Sequence, residues 1–75
     1  MQEHDLSFVR AEMVANVWKV VATEGQDVAV GDVLVVLESM KMEIPVVAPR
    51  AGTVTTVHVA ANDRVAEGDP IVDID

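Results

Sequence analysis

Seventy-five residues make one small domain, expected to span 1–75 with 1–7 as a frayed start, and 5 Lys and Arg against 13 Asp and Glu leave a charge of −8. That sign argues against nucleic acid or an anionic membrane as partner, since phosphates are bound by clustered Lys and Arg. No apolar run nears the ~20 residues of a membrane span, residues 1–5 lack the basic and apolar blocks of a secretory signal, and the chain reads as soluble and cytoplasmic. With no cysteine, disulfides, thiolate metal sites and a Cys nucleophile are absent, and His4 and His58 show no paired spacing; with no nucleophile and base pair, no metal set and no Gly-rich phosphate loop, neither a metal nor a catalytic site is expected.

Valine supplies the bulk. There are 17 Val, 3 Ile and 4 Thr, so 24 of 75 residues are β-branched, a composition that suits pleated, half-buried surfaces. In chain order, short strands are expected at Val9 to Met13 and Ala15 to Ala22, followed by turn chemistry at Glu24-Gly25-Gln26-Asp27. Val28-Ala29-Val30 leads to a second turn at Gly31-Asp32. Val33 to Glu38 is a nearly continuous apolar run, as in a buried strand. The plan then repeats with Ile44 to Ala48, Thr53 to Ala60, a turn at Ala61-Asn62-Asp63, Val65-Ala66, the Gly68-Asp69-Pro70 turn and Ile71 to Ile74.

The repetition is a duplication. Offset by 37 positions, residues 9–38 align with 46–75, and nine of the 30 pairs are identical: Val9/Val46, Ala11/Ala48, Val17/Val54, Val20/Val57, Val28/Val65, Ala29/Ala66, Gly31/Gly68, Asp32/Asp69 and Val35/Val72. Thirty residues cannot bury a face alone, so the halves are expected to pack about a pseudo-twofold axis as an all-β sandwich or barrel. The connection Ser39 to Glu43 between the halves has the chain termini as its symmetry mate. It therefore projects at the end of the molecule opposite the termini.

That connection belongs to the stretch Glu38-Ser39-Met40-Lys41-Met42-Glu43. An ordinary solvated lysine between two inward-turned methionines is the bland reading. Against it, Lys41 and Lys19 are the chain's two lysines, Lys41 sits at the midpoint of the duplication, and exposed methionines at a projecting turn are costly unless something recognises them.

On these residues the sequence resembles a biotinyl domain of the biotin/lipoyl attachment family, in which the acceptor lysine lies within Met-Lys-Met at a hairpin apex. The similarity runs from about Val9 onwards through Glu24-Gly25, Gly31-Asp32, Val33 to Glu38, Ala48-Pro49, Gly52-Thr53-Val54 and Gly68-Asp69-Pro70-Ile71. It implies a flattened barrel of two four-stranded antiparallel sheets, and covalent biotin on Lys41 attached by biotin protein ligase. Met40 and Met42 are implied to be read by that ligase; Glu38 and Glu43 flank the tip and either help position that partner or form an ordinary solvated acidic rim. A free lysine amine, with a pKa of ~10.4, is protonated near neutrality, so a ligase offering biotin as an acyl adenylate must also remove a proton. The carrier would then move activated carbon dioxide from a biotin carboxylase to a carboxyltransferase, the cofactor bearing the reactive atom.

Lipoyl acceptors of the same family usually show Asp-Lys-Ala, so a lipoyl carrier is the close alternative and Met-Lys-Met argues for biotin. An interaction protein that uses its acidic surface and is biotinylated incidentally is a reading of another class. Ser39 stands where many carriers have alanine, and Val14-Ala15-Asn16 replaces the usual Pro-Gly before the second strand. That substitution resembles the small stand-alone biotinylated proteins of actinobacteria more than the carrier domains of large carboxylases, and neither a Pro/Ala-rich linker nor an extra thumb hairpin is seen. Trp18 is expected to fill the core or cap the barrel edge, His58 to be a strand residue, and Asp32 and Asp69 to satisfy backbone donors in their turns.

Overall fold

Stiff β-branched side chains crowd a helix and fit a pleat, and the chain runs extended nearly throughout the computed structural model, which describes residues 6–75. Its eight strands are β1 (Ser7–Arg10), β2 (Ala15–Val20), β3 (Asp27–Val28), β4 (Val33–Ser39), β5 (Met42–Val47), β6 (Gly52–Val57), β7 (Arg64–Val65) and β8 (Pro70–Ile74). They form two four-stranded antiparallel sheets, ordered β1-β8-β6-β3 and β5-β4-β2-β7. The expected flattened barrel is therefore what the chain builds. Expected strand ends differ by a few residues. β1 begins at Ser7, inside the expected frayed start, while residues 1–5 lie outside the described residues.

The 37-residue offset maps one sheet onto the other, strand for strand. It also maps their irregularities. An extra residue is inserted between Val17 and Lys19 opposite β4, and its equivalent between Val54 and Thr56 opposite β8. Turn bonds are duplicated too: the Asp32 carboxylate accepts from Ala29 N and the Asp69 carboxylate from Ala66 N, both at 2.9 Å, as expected of these turn residues. Where Gly25 takes φ 89° in the first half, Asn62 takes φ 77° in the second. Their amides donate to Val54 O and Val17 O respectively, each at 2.7 Å, stitching each half to the other.

The core is a set of symmetry pairs, Val17 with Val54, Leu34 with Ile71, Val35 with Val72 and Leu37 with Ile74, all essentially without solvent contact. Each such side chain contributes roughly 1.5–3 kcal/mol through burial, and among the described residues no polar side chain is buried with them. The core placement considered for Trp18 fails here. Trp18 is 50% exposed, because it is the inserted bulge residue, and with Lys19 it lies opposite Val36 on the outer side of β2. In a bulge two residues share one partner's side of the sheet, so the alternation that points Val17 inward leaves Trp18 outside.

β5 leads from the tip at Met42 towards the far end. There Arg50 Nε donates to Ser7 Oγ at 2.8 Å and Arg50 Nη2 to Ile74 O at 3.3 Å. This clamp holds the first and last strands together at the end opposite the tip, as the duplication requires.

Candidate functional site: the hairpin tip

β4 and β5 pair as far as Ser39 opposite Met42, which leaves Met40 and Lys41 as a two-residue loop. Both have left-handed backbone, φ 54° and 63°, the signature of a type I′ turn whose twist matches the flanking strands. Asn-Gly usually fills such turns. A side chain there costs roughly 1–2 kcal/mol per residue, and strain of this kind clusters where function over-determines the local structure.

What the strain achieves is presentation. Met40 is 92% and Met42 64% exposed, so the thioethers are not tucked inward. Met42 shares the inward side of β5 with Ile44 and Val46 but lies past the end of the barrel, where no facing layer covers it. Lys41 stands exposed between them, and among the described residues its ammonium has no ion-pair partner.

Behind the tip runs one rung of directly opposed outward side chains, Glu43, Glu38, Asn16 and Arg64, crossing β5, β4, β2 and β7. Glu38 and Glu43 thus face each other as like charges, an arrangement that opposes strand pairing. Together with Val14, the Glu38, Asn16 and Arg64 side chains line an open cleft of about 310 Å³ that reaches Met40 and Lys41. The five residues singled out in the sequence, Glu38, Met40, Lys41, Met42 and Glu43, converge on one hairpin. Sequence reasoning missed Val14, Asn16 and Arg64, which come from outside the hairpin, Asn16 from β2, Arg64 from β7 and Val14 from the segment just before β2. The signal for Arg64 was the duplication, because β7 of the second half closes onto β2 of the first.

His58 lies just beyond β6, where its Nε2 meets Asp73 Oδ2 at 3.0 Å. Among the described residues no group of three His, Cys, Asp or Glu side chains could hold a metal, and no helix is long and apolar enough to cross a membrane.

A double-sheet barrel with an exposed lysine at its hairpin apex is the architecture of a carrier domain. Residues 8–74 match the family model described as "Biotin-requiring enzyme", and the chain belongs to that biotin/lipoyl family, with biotin as its covalent cofactor. It is 57% identical over 63 residues to the biotinylated protein TB7.3 homolog of Mycobacterium leprae, covering 84% of this chain and 89% of that protein. It is 42% identical over 66 residues to the biotin/lipoyl attachment protein of Bacillus subtilis, covering 88% and 90%. Among solved structures, the urea carboxylase of Kluyveromyces lactis superposes on 99% of this chain with TM-score 0.87 and 31% identity, the match occupying 6% of that larger chain.

Proposed function

We propose that Lys41 is the attachment residue for biotin and that biotin protein ligase reads Met40 and Met42, with Glu38 and Glu43 positioning it. The observation that carries this is the apex itself, where left-handed backbone at Met40 and Lys41 holds the lysine out between two exposed methionines. Acylation suits this site physically. It removes the lysine's charge, and among the described residues Lys41 has no carboxylate partner that would be left stranded. Lys41 Nζ, deprotonated by a base of the ligase, forms an amide with the biotin carboxyl carbon as adenylate departs. Once attached, biotin supplies a ureido nitrogen able to accept and release a carboxyl group.

The barrel supplies the rest. Its packed core holds the hairpin rigid, so reach comes from the modified side chain while the domain keeps its shape. The carrier works in the cytoplasm, taking carbon dioxide at a biotin carboxylase and delivering it at a carboxyltransferase. Likeness to a domain inside a urea carboxylase supports this role. The test incubates the biotinylated chain with a biotin carboxylase, ATP and isotopically labelled bicarbonate. Acid-labile label is expected on the wild-type chain and not on Lys41→Ala. Equal labelling of both forms, or of neither, would contradict the carrier assignment.

A further inference from the structure

The duplication provides an internal control for every surface position, and the two outer faces do not match. On the sheet away from the tip, the outward positions Thr55, His58, Asp73 and Arg10 are polar, with Phe8 on the edge strand β1 an exposed apolar exception that corresponds to Pro45. Their equivalents on the tip-bearing sheet are Trp18, Val21, Val36 and Val47, all apolar, and Trp18, Val21 and Val47 are exposed. The fold does not require this difference, since the same backbone, bulge included, is built with threonine at the Trp18 position. Large apolar side chains grouped on a small monomer mark an interaction surface.

We propose that this outer face of β5-β4-β2, centred on Trp18, is the docking surface for biotin protein ligase, holding the barrel while the ligase works on the tip. The inference rests on the Lys41 reading above and names how that site's modifying partner is engaged. Three observations select the occupant. The face is continuous with the tip: Trp18 lies two residues along β2 from Asn16, on the rung that carries Glu38 and Glu43, a rise of roughly 7 Å. An unmodified lysine is short, so an enzyme that acylates it must close onto the barrel beside the hairpin. A partner reached through the longer biotinyl arm need not. Finally, a second copy is disfavoured by a charge of −8 on each chain, which repels like molecules. The chemistry expected of the ligase is an apolar pocket for the indole, with basic residues facing Glu38 and Glu43.

The test measures binding of a bacterial biotin protein ligase to the whole chain as wild type, as Trp18→Thr and Val47→Arg, which import the equivalent residues of the opposite sheet, and as Thr55→Ala on that opposite sheet. Affinity is expected to fall about tenfold for the first two variants, as for truncation of an interface tryptophan, and to hold for the third. In labelling, KM should rise with kcat nearly unchanged. The two variants lie on different strands, so a folding defect in one, seen in its melting curve, leaves the other to decide. Equal affinities throughout, or an equal loss for Thr55→Ala, would overturn the proposal. So would a wild-type chain that sediments as a dimer which Trp18→Thr dissolves. Binding is read without catalysis, so a ligase that discriminates Trp18→Thr yet labels some other lysine would sink the Lys41 assignment and leave the docking face standing.

Discussion

Replacing Met40-Lys41 by Asn-Gly converts the tip into the sequence that its backbone prefers. Both residues sit at positive φ, so the native pair stores roughly 1–2 kcal/mol at each position. Glycine removes that penalty and asparagine much of it, while the added glycine costs ~0.4–1 kcal/mol through unfolded-chain entropy. Lost packing is negligible because Met40 is 92% exposed and Lys41 is exposed as well. The balance is a gain of about 1–2 kcal/mol, each kcal/mol raising the melting temperature by roughly 4–8 °C in a domain of this size. Thermal unfolding followed by circular dichroism, with urea titration for the free energy, checks it. A double variant that melts at or below the wild-type temperature would show that the apex is unstrained and refute the reasoning from its backbone. The stabilised variant should accept no biotin.

Other substitutions probe separate parts of the account. Met40→Leu and Met42→Leu should melt as wild type yet label more slowly, and even Met40→Ala should stay within about 0.5 kcal/mol, as exposed positions do. A loss of several kcal/mol would make the methionines structural, and normal labelling of the Ala variants would end the recognition claim. Lys41→Ala should likewise keep its stability within about 0.5 kcal/mol, measured by the same melts. Gly52→Ala should destabilise by about 1–3 kcal/mol or more, because its Cβ would lie 2.6 Å from Ile74 Cγ2 and 2.7 Å from Asp75 O. A neutral melt would show that the C-terminal strand yields easily.

Duplication made most of the fold legible, since two similar halves without helical periodicity have few ways to bury both apolar faces. It placed Lys41 opposite the termini and paired Val17 with Val54 before any coordinates. Bulges were not legible: nothing in Val17-Trp18-Lys19 says that one residue is inserted, and it was the size and apolarity of Trp18, not its place in the alternation, that suggested the core. The tip's backbone was hidden too, because Met-Lys lacks the Asn-Gly signature of a type I′ turn. Glu38 and Glu43 could be read from their proximity in sequence. Asn16 and Arg64 reach the same rung only through the β2–β4 and β2–β7 pairings, which required knowing how each half closes onto the other.

Co-expression with a biotin protein ligase, followed by intact-mass and peptide analysis, tests the central claim most directly. One biotinyl group should appear, on Lys41, and none on Lys41→Ala. A label on Lys19, or an unmodified Lys41 in the presence of excess ligase, would contradict the account.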